Sequence, residues 1–423
     1  MIFSHNWLQT YFEKELPTPE KLAELLTMHI FEVEGVETIK DAEDSDSGVI
    51  RDHALDVKIL PDRAGYAYAH ANLAREINAF TNAGFKAKAW NDVDASEISE
   101  ELNAQMPKLP IADAQKSPIM TMRLISGIEN GPSPKWLVEA LTAAGQRSIS
   151  LIVDLTNYVM LDCGQPMHAF DADKIKGDMS IRYANDGEKL TLLDGREVTL
   201  DSAVLVIADS EGALDIAGIK GGKKAEVDSD TKRIILTAGN FDASYIRKTS
   251  QKVGIKNDST KRYENAVNWQ RVFDAQDECI SLLKKECPSI TMSKLFCEDP
   301  GIDESKKGTT VIKTSAAFIS QKIGMDISAD EIMRMLNSLE IETKLDGDAI
   351  EITAPVYRGD LRIAEDIVEE VARLKGMNSM PEVMPQADIA VPALPSFFYS
   401  NIVRNSLLGL GFSEIYTHTL IEE

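Results

Sequence analysis

The sequence is short of positive charge, cysteine and long apolar runs. Only 45 Lys and Arg stand against 68 Asp and Glu, a formal net charge of −23. That balance argues against a general nucleic-acid-binding surface, so any such contact has to come from a local patch. The hydrophobic runs are too short and interrupted to cross a bilayer. The opening Met1-Ile-Phe-Ser-His5-Asn-Trp7-Leu8 lacks the basic and apolar regions of a secretion signal. Four cysteines, Cys163, Cys279, Cys287 and Cys297, show no CxxC pairing and read as reduced thiols of a cytoplasmic protein. What remains is an ordinary apolar content over 423 residues, enough for about three domains, each with its own core.

The most informative segment runs from Pro355 to Gly376. A proline-bounded strand end leads into a helix on which Asp366, Glu369 and Glu370 stand at i, i+3 and i+4, on one face. Ile363, Ile367, Val371 and Leu374 form the apolar stripe. Asp360 falls just before the helix, within reach of the cluster. Like charges this close need a cation or a basic partner, and hard oxygen ligands suit magnesium. The other reading is a solvated helix face with Arg362 and Arg373 as ion-pair partners.

The chain repeats itself, which bears on that choice. Thr18-Pro19-Glu20 and Ser328-Ala-Asp-Glu331 each open a helix with an N-capping hydroxyl. Each helix leads through an alternating segment to a strand ending in proline, Pro61 or Pro355, and then to a final helix. The helix starts are offset by 310 positions (328 − 18) and the prolines by 294 (355 − 61). The first copy therefore carries a longer hairpin, around the acidic loop Asp41 to Asp46. Moved back by 294, Asp360, Asp366, Glu369 and Glu370 become Tyr66, Asn72, Arg75 and Glu76. The repeated fold does not itself require the acids, which favours a cation or a basic partner.

Between the copies, strand-like runs (Ile119 to Ile125, Met179 to Tyr183, Ala203 to Ile207, Arg233 to Thr237) alternate with helical segments. The Gly218 to Gly222 run is not of the phosphate-loop type and reads as a place of close backbone approach. Gly164-Gln-Pro-Met-His168-Ala-Phe-Asp171 holds the only histidine of this region, with a structural and a catalytic reading both open. No serine or cysteine nucleophile signature accompanies it, so a covalent triad has no support. Between Tyr245 and Arg262, six basic residues (Arg247, Lys248, Lys252, Lys256, Lys261, Arg262) meet one acid, Asp258. This is either a solvated loop or a contact for the phosphates of an RNA end.

Arg147-Ser148-Ile149, Val153 to Val159, Gly164 to Asp171, Gly218 to Gly222, Arg262-Tyr263-Glu264 and Pro355 to Gly376 occur in this order. Taken together, the series resembles the beta subunits of bacterial phenylalanyl-tRNA synthetase over nearly the whole chain. The resemblance implies an aminoacyl-tRNA ligase of two alpha and two beta subunits. Its alpha partner joins phenylalanine to the tRNA for phenylalanine with ATP and Mg2+. The middle region is implied to be an editing domain that hydrolyses mischarged tyrosyl-tRNA. By motif position, the magnesium ligands are Asp360, Asp366, Glu369 and Glu370. The editing site takes in His168, Arg147 and Gly221. The family's tyrosine-recognising acid maps onto Thr237, and a threonine–alanine pair onto Asn257 and Ser259.

The fold expected is multidomain α+β, with two copies of a small helical, winged-type unit flanking an α/β editing-type domain. The boundaries expected are 1–85 for the first unit, 86–117 for a linker, 118–300 for the editing-like domain and 308–376 for the second unit. A proline-marked connector, 377–395, leads to the start of a catalytic-like domain at 396–423, with a helix over Phe397 to Leu410 and a strand after it. The family's oligonucleotide-binding insertion is missing from the first unit, and the sequence is expected to be truncated. The alternative function is a stand-alone tRNA-binding or deacylase module. A DNA-binding role, suggested by the helical units, conflicts with the acidic face of the second copy.

Overall fold

A computed structural model describes residues 1–40, 50–88, 97–300, 309–384 and 394–419. The acidic loop 41–46, half of the proposed connector and the last four residues lie outside the described residues. The chain divides into two compact units, Met1–Met380 and Pro381–Glu423.

The internal repeat is real at the level of topology. The first copy runs strand Ile2–Ser4, helices His5–Gln9 and Pro19–His29, strands Val33–Lys40 and Ile50–Val57, a short helix Ala64–Ala67, and helix His70–Thr81. The second runs strand Thr310–Ser315, helices Ala316–Ile323 and Ala329–Ser338, strands Glu342–Asp346 and Ala349–Ala354, and helix Ala364–Lys375. In both, the last strand of the three lies centrally in an antiparallel three-stranded sheet. The same caps start the same helices: Ser4 and Ser315 before the first, Thr18 and Ser328 before the second, each hydroxyl accepting a backbone N–H.

The middle domain is mixed α and β. Strand Arg233–Asn240 lies between Ile119–Ser126 and Met167–Asp171 in a five-stranded sheet. Helices Leu151–Cys163 and Arg271–Glu286 pack beside it. A second, four-stranded sheet contains Ser180–Tyr183, Leu205–Ala208, Ala213–Ile216 and Lys220–Gly221. One apolar core runs continuously from the first repeat copy (Phe3, Leu8, Leu22, Leu55) into the middle domain (Leu155, Val159, Leu236, Ile280). A polar join reinforces it: Asp162 on Leu151–Cys163 accepts from Trp7 Nε1 at 2.7 Å and from Tyr11 Oη at 2.6 Å. The first copy is thus packed into the middle domain and has no boundary of its own there.

Three expectations need correction. The linker is partly built into the fold: helix Glu100–Gln105 is capped by Ser99, and Leu102 and Leu109 are buried in the second core of the middle domain. Ile363, assigned to the apolar stripe, is 56% exposed, because it is the N-cap residue and precedes the helical turn that faces inward. In the terminal unit a helix forms over Pro395–Gly409, but no strand follows among the described residues, and its Phe397, Phe398 and Val403 are exposed.

Candidate active site

The two sheets of the middle domain meet at a small cleft of about 80 Å³. Antiparallel pairing sets His168 directly opposite Thr237 on the five-stranded sheet. From the four-stranded sheet come Asp215 and Gly221, and helix Asp258–Tyr263 adds Ser259 and Tyr263. Gly221 is required by packing. A Cβ there would lie 2.8 Å from Cε1 of His168, so the imidazole occupies the space a side chain would take. At Gly222 a Cβ would meet the Leu214 carbonyl oxygen at 2.1 Å, which explains the glycine pair as close backbone approach.

The surrounding motifs hold this geometry. Gln165 is fully buried, and its amide donates to the carbonyls of Pro166 and Gly239 and to Tyr263 Oη. The chain entering His168 is thereby fixed against two neighbouring segments. The His168 ring stands edge-on to Phe170 with centroids 4.5 Å apart. Thr237 donates its hydroxyl proton to the His168 carbonyl at 3.1 Å.

Asp215 is the residue that reading the sequence missed. It is buried; its Oδ1 accepts the Gly222 N–H at 2.9 Å, and its Oδ2 lies 3.4 Å from His168 Nε2. Burial pushes its carboxyl above the usual carboxylate range, against the opposing pull of His168 and the Gly222 N–H. A signal existed: a lone acid in the apolar run Ala213-Leu-Asp-Ile-Ala217, just before the glycines.

Two expected pocket residues lie elsewhere. Asn257 does not line the cleft; its side chain caps helix Asp258–Tyr263 and donates to the Ile219 carbonyl at 2.7 Å. Capping satisfies an orphan N–H, which outweighs facing a cleft. Arg147 is exposed and also absent from the lining. It sits on a loop held by buried Asp154, which accepts from Ser133 Oγ, Ser148 Oγ and the Ile149 N–H. Its neighbour Gln146 donates to Asp258, next to Ser259, so this loop is tied to the helix that bears Ser259, while Arg147 itself does not line the cleft. Of the six basic residues nearby, five are exposed, but Arg262 is buried. It donates to the carbonyls of Tyr68 and Asp258, and burial lowers its pKa to about 10.

The acidic helix of the second copy does not gather its carboxylates around a common point. Asp366 Oδ2 accepts the N–H groups of Arg362 and Ile363 at 2.7 and 2.9 Å, capping its own helix. Asp360 is gripped by Arg358 at 2.7 Å. The Glu369 side chain is 62% exposed and reaches Arg63. Glu370 is fully buried among Arg63, Arg358 and Arg373, at 2.8, 2.9 and 2.5 Å. Burial alone would raise its pKa, but these guanidinium groups, Arg373 foremost, hold it well below the usual carboxylate range. Among the described residues no three His, Cys, Asp or Glu side chains are grouped as a metal would require. The residues present do not fit magnesium as the motif position implied. The basic partner that the repeat argument allowed is the better description. Arg63 comes from the first copy, and Arg373 also binds Glu76 at 2.7 Å. Glu76 and Glu370, equivalent positions of the two copies, therefore share one buried ionic network.

The family described as B3/4 domain matches residues 116–288, and the family described as tRNA synthetase B5 domain matches residues 312–377. Curated proteins named phenylalanine–tRNA ligase beta subunit are similar to most of the chain. The one from Halalkalibacterium halodurans is 32% identical over 380 residues, covering 88% of this chain and 45% of that protein. Those from Carboxydothermus hydrogenoformans and Pseudomonas fluorescens (strain Pf0-1) are 33% and 34% identical, again over 88% of this chain and 45% and 46% of theirs. The chain spans about half the length of the curated relatives it matches.

Proposed function

We propose that this chain, a relative of the phenylalanine–tRNA ligase beta subunits with a B3/4 and a B5 domain, works as part of a phenylalanine–tRNA ligase and uses the His168 cleft to hydrolyse mischarged aminoacyl-tRNA. Attachment of phenylalanine, with its ATP and Mg2+, belongs to an alpha partner in an alpha2beta2 assembly. The stand-alone alternative is not favoured, since beta subunits align with 88% of the chain.

The observation that carries the hydrolytic reading is the convergence of His168, Asp215, Thr237, Ser259 and Gly221 on one cleft within the B3/4 match. The His168 side chain is 30% exposed there, so its ring is open to a substrate. In the reaction, a water oxygen attacks the ester carbonyl carbon and the bond from that carbon to the ribose oxygen breaks. The proton from water ends on the ribose hydroxyl. No side chain needs to become covalently attached; positioning of water and ester is the contribution asked of His168. Outside the cleft, Arg147, Arg247, Lys248 and Lys256 are exposed and suited to the phosphates of the tRNA end.

The test is deacylation of tyrosyl-tRNA for phenylalanine by the chain and by His168→Ala. Hydrolysis that drops about a hundredfold in the variant supports the reading; an unchanged rate removes His168 from the reaction.

A further inference from the structure

We propose that Asp215 sets the specificity of the His168 cleft by accepting a hydrogen bond from a donor on the side chain of the bound aminoacyl ester. This rests on the hydrolytic reading above. The resemblance placed the recognising acid at Thr237, on the five-stranded sheet. The structure places a carboxylate in the same cleft from the other sheet, on strand Ala213–Ile216.

Lys220, Thr237 and Ser259 add polar groups beside the one carboxylate of the cleft, and its apolar walls come from Met120, Ile207, Ile216, Ile219 and Phe241. Such a surface takes an aromatic or aliphatic side chain but discriminates weakly between a ring and the same ring with a hydroxyl. Asp215 changes that. An ionised carboxylate has about four acceptor positions. The Gly222 N–H takes one at 2.9 Å, and the His168 nitrogen, at 3.4 Å from Oδ2, is long for a hydrogen bond. Acceptor capacity is left over beside the cleft.

Thr237 donates its proton to the His168 carbonyl and keeps its lone pairs to accept with, but a bond to them lacks the charge assistance that a carboxylate gives. An ester with a bare phenyl ring would displace water from a buried carboxylate and return nothing. A phenolic hydroxyl would replace that water with a charge-assisted bond. The cleft therefore selects the hydroxylated ring by penalising the one without it.

Asp215→Asn is the informative variant, since its amide oxygen still accepts the Gly222 N–H while the charge is gone. The measurement is kcat/KM for deacylation of tyrosyl- and phenylalanyl-tRNA by the full chain, with Asp215→Ala in parallel. The expected result is a fall of about tenfold or more in the tyrosyl-to-phenylalanyl ratio. An equal fall for both esters would mean that Asp215 only positions His168, and would overturn the proposal, as would an unaltered ratio. Should the wild-type chain hydrolyse neither ester, the hydrolytic reading fails and recognition is read from binding. The His168 ring resonances are then titrated with L-tyrosinamide and L-phenylalaninamide. Preference for tyrosinamide that Asp215→Asn abolishes supports the proposal; equal affinities in the wild-type chain overturn it.

Discussion

Glu370 lies buried with three guanidinium groups at 2.5 to 2.9 Å, whereas Asp215, also buried, has one backbone N–H and an imidazole nitrogen at 3.4 Å. The two carboxylates are opposite solutions to one problem, since a charge removed from water must be paired or neutralised. Around Glu370 the neighbours saturate the lone pairs, leaving nothing to offer a ligand. Around Asp215 they do not, and the unsatisfied side faces a cleft. Burial by itself therefore says little about function; what decides is whether the acceptor capacity is used up.

The sharpest way to break the comparison is Glu370→Ala. It would leave Arg63, Arg358 and Arg373 without their shared buried carboxylate, with Glu76, Asp360 and the exposed Glu369 as the acids still paired to them. A loss of about 3–5 kcal/mol in denaturant unfolding is expected; a loss under 1 kcal/mol would show that the network is not holding the two repeat copies together.

A buried base supplies a control. His70 is fully buried; its Nε2 accepts the Ser4 N–H and its Nδ1 pairs with the Leu161 carbonyl, so the neutral ring is satisfied. Burial lowers its pKa from 6.5 to about 4. As pH falls through this window, the unfolded chain binds a proton that the folded chain refuses. Stability is complete above 6.5 and declines by about 3 kcal/mol towards pH 4. Unfolding curves of the wild type and His70→Gln across that range check this, the variant losing the His70 share of the slope.

Gly221→Ala comes next. Its methyl group would displace the His168 ring, and deacylation should drop about tenfold, roughly 1.4 kcal/mol of barrier. The smallest effect is expected at Glu369→Gln. The exposed pair with Arg63 is worth under about 1 kcal/mol. Neither this variant nor chelation of Mg2+ should move the melting temperature of the isolated chain. A magnesium-dependent rise, measured by calorimetry, would show that the acidic helix takes up a metal after all.

Much of this was legible in the sequence because it rested on local physics. Capping hydroxyls at Thr18 and Ser328, proline stops at Pro61 and Pro355, and a glycine run that only close packing explains all report on their own surroundings. What was not legible depended on distant partners. The i, i+3, i+4 spacing puts Asp366, Glu369 and Glu370 on one helical face, but it cannot say that Arg63, some 300 positions away (370 − 63), arrives to claim Glu370. Nor can it say that Asp366 turns back to cap its own helix. Motif position likewise placed Asn257 in the cleft, where the demand for a helix cap removed it. Asp215 escaped notice because its importance arises only when two separate sheets meet.

The central claim is that Glu370 is buried for architecture and Asp215 for chemistry, and one pair of denaturant unfolding curves at pH 7 tests it. Glu370→Gln keeps the shape and removes the charge that three arginines require, so its midpoint should fall far below that of the wild type. Asp215→Asn also keeps the shape but removes a charge that burial disfavours, so its midpoint should stay at the wild-type value or rise. If Asp215→Asn loses as much stability as Glu370→Gln, the two carboxylates are serving the fold alike, and the distinction is wrong.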